Sequence, residues 1–176
     1  LIIEKENIVN TIYQFPTHQT FFSTSENLEI GGIPFTTPNS KPVRNEALAY
    51  YREIVKRNNL RVNTFERAID MERQGNYYRL TTKKNNRMKN YLAKYVIIAT
   101  GYYDQPNYLH IPGEDLPKVF HYFKEAHPFY NTNVVVIGGR NSAVDTSLEL
   151  VKAGANVTVL YRGEKYSKSI KPWILP

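Results

Sequence analysis

A short glycine loop in this sequence has the residue types that bind a nucleotide pyrophosphate. Gly138 follows a run of four β-branched residues and lets the backbone turn tightly, and Ala143 is small enough for a following helix to approach that strand. Arg140 replaces the middle glycine of the pattern G-x-G-x-x-G/A, but its guanidinium can pair with the same phosphates. The amides of a helix N-terminus would complete the anion site. We therefore predict that a pyrophosphate contacts Gly138, Gly139, Arg140, Asn141, Ser142 and Ala143.

A cation follows the next strand-like run, at 156–161. Arg162 stands where an acidic residue would accept the ribose hydroxyls of NAD, and a cation at that point suits the 2′-phosphate of NADP. Lys165 and Lys168 follow closely and could share the charge of that phosphate. The sequence therefore predicts NADPH as the pyridine nucleotide.

A parallel β-α-β unit would position both features. The β-branched run at 134–137 is typical of a fully buried parallel strand. A helix opens at Ser142, and Gly154 ends it before the second strand. Three apolar residues share one face of that helix at helical spacing: Val144, Leu148 and Val151. The alternative is a parallel β-α-β unit with a tight turn and no ligand.

Other kinds of chemistry have less support. The chain of 176 residues contains no cysteine, so it has neither disulfides nor thiol chemistry of its own. Its histidines lack metal-ligand spacing, and we expect no metal site. The net charge of +7 is spread along the chain without a nucleic-acid-binding motif. No apolar run could span a bilayer and no signal peptide is visible. We expect a cytoplasmic protein without nucleic-acid or membrane partners.

A second candidate site lies in the first part of the chain. Glu4 ends an apolar, buried strand-like run, where a dinucleotide fold keeps its ribose-binding acid, and Lys5 follows it. The glycine-rich loop that should precede such an acid by about 20 residues is missing, so we expect an internal fragment of a longer protein. Thr17 and His18 lie in an irregular segment at 7–35 and could line a ligand. His18 could equally be a structural histidine.

Further elements are predicted between these two sites. Residues 42–58 have helical period, with Ala47, Leu48, Tyr51, Ile54 and Val55 on one face. Strand-like runs at 62–73, 77–83 and 88–94 are separated by Gly-Asn and Asn-Asn turns, which predicts an antiparallel meander. Residues 95–101 predict a buried parallel strand ending in Ala-Thr-Gly, small enough for the backbone to approach a ligand. A linker with a turn at 112–115 follows.

The order of these elements resembles that of flavoproteins with two dinucleotide-binding domains, which include thioredoxin reductases and flavin monooxygenases. Four stretches resemble the bacillithiol-disulfide reductase family of the YpdA type more specifically. They read YQFPTHQTFF at 13–22, ATGYYD at 99–104, PGEDLPKVFHYF at 112–123 and SIKPWI at 169–174. The resemblance covers essentially the whole chain.

This resemblance implies an α/β fold of the Rossmann-like, FAD- and NAD(P)-binding type. Residues 1–110 would be part of the FAD-binding domain, with the antiparallel meander but without its first glycine-rich loop. Residues 111–176 would be the start of an inserted NADPH-binding β-α-β domain. Glu4 and Lys5 would meet the adenosine ribose of FAD, Thr17 and His18 would approach the flavin, and Thr100 and Gly101 would pass close to FAD.

The same resemblance implies an enzyme. Hydride would pass from NADPH to FAD and then to bacillithiol disulfide, a small-molecule disulfide of a low-molecular-weight thiol. The full-length protein could be a homo-oligomer. The cysteine that the family carries beside the flavin is not in this chain, and we expect the isolated fragment to be inactive.

Two other functions stay open at the level of sequence. A flavin monooxygenase would share the fold, but it carries F-x-G-x-x-x-H before the second glycine loop. Counting back from His127, this chain has His121 and Phe123 at the aromatic and glycine positions. A non-catalytic nucleotide- or nucleic-acid-binding module would account for the basic charge and would bind with strong salt dependence.

Overall fold

A computed structural model of the protein describes residues 1–165, 170–171 and 174. The chain divides into two compact units, Leu1–His121 and the residues from Tyr122 on. Helices and strands are mixed in the chain, and the predicted α/β class is confirmed. In the described ranges, no helix combines the length and apolar character needed to cross a membrane.

The first unit contains two small sheets. Its elements are β1 (Ile2–Ile3), α1 (Asn10–Gln14), α2 (Arg44–Arg57), β2 (Val62–Asn63), β3 (Arg67–Gln74), β4 (Tyr77–Lys84) and β5 (Arg87–Ala93). β1 pairs in parallel with β2, and β3, β4 and β5 form an antiparallel sheet in sequence order. The predicted meander is therefore confirmed. The first predicted run divides in two because Phe65, at a φ of 55°, turns the chain between β2 and β3.

Helix α2 forms the centre of the core of this unit and confirms the helix predicted at 42–58. Its buried residues are Ala47, Tyr50 and Ile54, and the Phe35 ring stacks on that of Tyr50 with 4.2 Å between centroids. The Tyr50 hydroxyl donates to the Ile33 carbonyl at 2.7 Å. Of the face predicted from the sequence, Leu48, Tyr51 and Val55 are only half-buried. The buried line is rotated towards Tyr50 because the irregular segment before the helix packs there.

The strand predicted at 95–101 is wrong. Within the described part of the chain no strand pairs with these residues, and Ile97 and Ile98 are 90% and 72% exposed. A parallel strand needs hydrogen-bonded neighbours and covered faces, and the described residues supply neither. Leu1 and Ile2, predicted as buried, are exposed for the same reason, although Ile2 does pair with Val62 in β1.

The second unit contains the predicted β-α-β arrangement. It consists of β6 (Asn133–Ile137), α3 (Asn141–Lys152) and β7 (Asn156–Leu160). The two strands are parallel and pair from Asn133 with Asn156 to Ile137 with Leu160. Gly154, at a φ of 85°, follows the helix as predicted.

Two burial predictions in this unit are wrong. β6 is not fully buried, because α3 covers one face of a two-stranded sheet and Val135 on the other face is 56% exposed. Leu148 and Val151 are exposed, and Leu150, which is 1% exposed, is the buried residue of α3. The apolar period of the sequence did not distinguish these faces, since apolar residues occur on both.

Candidate cofactor-binding sites

The turn after β6 has the close packing that a dinucleotide loop requires. The Gly138 amide donates to the Leu160 carbonyl at 2.9 Å, which extends the β6–β7 pairing into the turn. Gly138 has a φ of 141°, a conformation that favours glycine. A Cβ at Gly138 would lie 3.2 Å from the Cβ of Ala143, so the small residue at 143 is needed where strand and helix meet.

The N-terminus of α3 is not capped by a side chain of any residue that the structure describes. The first helical bond runs from the Val144 amide to the Arg140 carbonyl at 3.1 Å. The first amides of a helix have no partner within it, and they attract anions together with the helix dipole. Arg140 and Ser142 are exposed at this end. Their positions are compatible with the predicted pyrophosphate contact.

Other predicted residues near this end have different surroundings. Gly139 is buried beneath the Tyr161 ring, so its face of the turn is closed to a ligand. The Asn141 carboxamide oxygen accepts the Lys171 amide at 2.8 Å, and the Lys171 ammonium pairs with Asp145 at 2.9 Å. A phosphate would therefore have to approach from the side of Arg140 and Ser142.

The predicted cations lie beyond β7. Arg162 and Lys165 are both exposed. Arg162 lies two residues after Leu160, the last residue of β7, whose carbonyl accepts the Gly138 amide. Lys168 lies outside the described residues, as do Ser169, Pro172 and Trp173 of the stretch at 169–174. The 2′-phosphate contact of Arg162 and Lys165 stays a prediction.

In the first unit, long-range contacts bring the predicted FAD-side stretches together. Lys5 forms an ion pair with Asp104, which joins the end of β1 to the segment after Thr100 and Gly101. The Phe15 ring meets the Tyr103 ring edge-on, with 5.1 Å between centroids, which joins the same segment to the stretch before Thr17. The three stretches thus meet, although their contact with FAD stays a prediction.

The residues predicted to contact FAD differ in their exposure and in the hydrogen bonds of their surroundings. The Glu4 carboxylate accepts the Glu6 amide at 3.0 Å. Thr17 is exposed and His18 is half-buried, both within a turn closed by the Gln19 amide donating to the Pro16 carbonyl at 3.0 Å. Gly101 has a φ of 68° and no atom within 4 Å of an added Cβ. Its glycine is needed for backbone conformation, and nothing in the first unit crowds it.

Arg44 is a structural residue of this site that sequence reasoning missed. Its buried guanidinium donates to the Tyr13 carbonyl at 2.6 Å and lies over the Tyr13 ring at 5.2 Å. Its amide donates to the Gln19 carbonyl at 2.9 Å. Arg44 therefore holds both ends of the segment that contains Thr17 and His18. A signal existed in the sequence, since a cation in the first turn of a helix opposes the helix dipole.

Two carboxylates near the predicted stretches have shifted pKa values. A hydrogen bond from the Lys5 ammonium lowers the pKa of Asp104, and both side chains are exposed. The backbone amide of Leu109, at 2.7 Å, lowers the pKa of Glu114, which also accepts the His110 amide at 2.6 Å. Glu114 thus ties the stretch at 112–123 to the residues just before it. In the described part of the chain, no group of three or more His, Asp or Glu residues could hold a metal ion.

The second unit has the architecture that is typical of dinucleotide-binding folds: a parallel β-α-β unit with a glycine turn, a small residue where helix and strand meet, and an uncapped helix N-terminus. The chain belongs to the pyridine nucleotide-disulphide oxidoreductase family, whose model matches residues 1–176.

Three relatives are particularly similar to this chain. The bacilliredoxin reductase Bdr of Bacillus subtilis (strain 168) is 63% identical over 177 residues, which cover 100% of this chain and 53% of the relative. The solved bacillithiol disulfide reductase Bdr (YpdA) from Bacillus cereus has a TM-score of 0.95 and 62% identity, covering 98% of this chain and 53% of that chain. Its counterpart from Staphylococcus aureus has a TM-score of 0.94 and 58% identity, covering 98% and 52%.

These similarities confirm the resemblance to the YpdA type that was predicted from the four sequence stretches. The chain spans about half the length of the curated relatives it matches.

Proposed function

We propose that the full-length protein is an NADPH-dependent flavoprotein that reduces bacillithiol disulfide. The cofactor assignment is supported mainly by one observation: the uncapped N-terminus of α3 lies next to the turn where Gly138 packs closely against Ala143. Arg162 follows the second strand of the same unit. The substrate assignment is supported by 63% identity over the whole chain to a bacilliredoxin reductase and by the similar bacillithiol disulfide reductases.

Each unit has a separate proposed role. In the second unit, the turn from Gly138 to Ala143 would bind the pyrophosphate of NADPH, and Arg162 with Lys165 would bind its 2′-phosphate. In the first unit, the stretches joined by the Lys5–Asp104 pair would bind FAD. The bound cofactors supply the hydride chemistry, and the residues of this chain bind and orient them.

The partner of the full-length protein would be a small-molecule disulfide in the cytoplasm. We propose neither a nucleic-acid nor a membrane partner, and a homo-oligomer is compatible with this function. The chain of 176 residues alone should not reduce the disulfide, since it contains no cysteine beside the flavin.

The test compares electron acceptors in the full-length protein. Oxidation of NADPH is followed by its absorbance, with bacillithiol disulfide or with oxygen as the acceptor. The proposal expects fast oxidation that depends on the disulfide. Oxygen incorporation into a product would instead identify a monooxygenase. Salt-sensitive binding of nucleic acid without NADPH oxidation would identify the non-catalytic module.

Matched nucleotides test the cofactor part. We expect a much lower Michaelis constant for NADPH than for NADH, because only NADPH carries the 2′-phosphate. Equal Michaelis constants for NADPH and NADH would contradict the role of Arg162 while leaving the disulfide reaction intact.

A further inference from the structure

One tyrosine ring contacts both turns that follow the strands of the β-α-β unit. A Cβ added to Gly139, after β6, would lie 2.5 Å from Cε2 and 2.6 Å from Cγ of the Tyr161 ring. A Cβ added to Gly163, after β7, would lie 2.7 Å from Cε1 and 2.8 Å from Cζ of that ring. These separations are far inside the contact distance of about 3.5–4.0 Å between carbon atoms. The two turns therefore lie against different atoms of one ring.

Backbone conformation does not explain these two glycines. Gly138 and Gly154 have φ values of 141° and 85°, where side chains are disfavoured, but Gly139 and Gly163 lie outside that region. Alanine could adopt their φ values without strain. The Tyr161 ring is what excludes a side chain at both positions.

The strand register fixes where this ring lies. Leu160 pairs with Ile137, and the Leu160 carbonyl accepts the Gly138 amide at 2.9 Å. The next residue, Tyr161, is thereby held beside the turn, where its ring covers Gly139 and stays 39% exposed. The sheet therefore fixes the backbone of Tyr161, and both turns lie close to its ring.

Arg162 lies between the two residues involved in this packing. Tyr161 supplies the ring and Gly163 packs against that ring, so the backbone on both sides of Arg162 is held in place. A segment that is already ordered loses less conformational entropy when it binds a ligand. The packing would thus improve the binding of whatever anion Arg162 contacts.

We propose that Tyr161 is a positioning residue for the phosphorylated cofactor: its ring packs against the turns after β6 and β7 and holds the backbone that presents Arg162. This role rests on the proposed binding of NADPH. Gly139 and Gly163 would then be glycines because a side chain there would collide with the Tyr161 ring. Gly138 is a glycine for a different reason, since its φ of 141° favours glycine in the turn before the helix.

The first test measures dissociation constants by calorimetry in the full-length protein. The probes are 2′,5′-ADP, which carries the 2′-phosphate, and ADP, which lacks it. Tyr161→Ala should weaken 2′,5′-ADP by about 10-fold and ADP by less than about 2-fold, because only the 2′-phosphate is contacted by Arg162. Tyr161→Phe should bind like the wild type, since it keeps the ring. Equal losses for both probes would overturn the positioning role.

A double-mutant cycle tests the packing itself. Gly139→Ala should weaken 2′,5′-ADP by about 10-fold, because its methyl group displaces the ring. Gly139→Ala combined with Tyr161→Ala should bind no more weakly than Tyr161→Ala alone, since the collision is gone. Losses that simply add would show that the two residues act independently, and the proposal would be wrong. If the Tyr161→Ala variant does not fold, Tyr161→Leu allows the same comparison, because leucine keeps an apolar side chain but removes the aromatic ring.

The matched control is Tyr130→Ala. Tyr130 also packs against a glycine of this unit, Gly154, at the opposite end of α3. Its removal should leave the affinity for 2′,5′-ADP unchanged. If the wild-type protein binds neither NADPH nor 2′,5′-ADP, the proposed function fails; if it binds both and Tyr161→Ala does not distinguish 2′,5′-ADP from ADP, only the role of Tyr161 fails.

Discussion

The two compact units of the chain build their candidate sites differently. The candidate site of the second unit lies within one continuous β-α-β segment, whereas that of the first unit is assembled from stretches far apart in the sequence. The turn, the helix start and the cation of the second unit occur between β6 and Arg162 in continuous sequence. In the first unit, by contrast, the Lys5–Asp104 ion pair joins residues 99 positions apart in the sequence. A site of the first kind is determined mainly by local geometry, and one of the second kind depends on side chains that hold separate segments together.

Glycines show the same difference. Gly101 in the first unit has an open space around an added Cβ and a φ of 68°, so only its backbone conformation requires glycine. Gly139 in the second unit has an ordinary φ and no room for a side chain. Glycine is therefore required at Gly139 because a ring occupies the space of a side chain, and at Gly101 because of the backbone conformation. Variants of each unit should accordingly fail in different ways.

The largest effect is expected where helix and strand meet in the local site. Ala143→Leu should weaken NADP⁺ binding by about 100-fold, because the larger side chain separates α3 from the Gly138 turn. Calorimetry on the full-length protein measures the affinity. Val151→Leu, an exposed change on the same helix, is the control and should bind normally. Normal affinity in Ala143→Leu would mean that this turn does not bind the cofactor.

A smaller loss is expected at the cation after β7. Arg162→Ala should raise the dissociation constant of NADPH by about 30-fold, because a charge-assisted hydrogen bond to the 2′-phosphate is lost. The affinity for NADH should hardly change. Lys152→Ala, which changes an exposed side chain of α3, is the control and should alter the affinity for neither nucleotide. Equal losses for NADPH and NADH would refute the assignment of this cation.

In the assembled site, the buried guanidinium is the most sensitive position. Arg44→Met should lower the affinity for FAD by about 10-fold, because the Tyr13 carbonyl loses its buried donor and the segment with Thr17 and His18 is released. Flavin absorbance of the purified full-length protein measures this. Arg52→Met, at an exposed position of α2, is the control. Binding of 2′,5′-ADP should be retained, and its loss would contradict the independence of the two sites.

The smallest effect is expected for the exposed ion pair. The Lys5 ammonium lowers the pKa of Asp104, so this pair stabilises the folded state above the unfolded pKa of aspartate, about 3.9, and the contribution disappears as the pH falls. Asp104→Asn should therefore lower the free energy of unfolding slightly near neutral pH and not in acid, and added salt should reduce the difference.

Urea unfolding at several pH values measures this dependence, with exposed Asp70→Asn as the control. A difference between Asp104→Asn and the wild type that grows in acid would show that Lys5 is not the partner that matters.

Elements with short-range signals were predictable from the sequence. Helix α2 follows from apolar residues at helical spacing, and the hairpin between β4 and β5 follows from two asparagines, which tolerate φ values of 48° and 61° at Asn85 and Asn86. The β-α-β unit follows from a β-branched run, a glycine turn and a helix of standard length. Each signal arises from a few neighbouring residues, so no distant contact is needed to interpret it.

Burial was predicted less well, because it depends on what packs against an element. Residues 95–101 have the composition of a buried strand, yet no described neighbour covers them and Ile97 is exposed. In α3, apolar residues on two faces gave the wrong choice, and contact with β6 and β7 buries Leu150 instead. Arg44 and Tyr161 were also missed, since their partners are defined by the folded chain.

The sequence by itself determined the class of fold, the tight glycine turn after β6 and the position of a cation after β7, because glycine, small residues and charge act at fixed spacing within one β-α-β unit. Only the tertiary structure decided that a buried arginine holds the segment with Thr17 and His18, and that one tyrosine ring occupies the space beside two glycines. The physical reason is that hydrogen bonds to distant carbonyls and van der Waals exclusion depend on where separate segments come together, which local spacing does not encode.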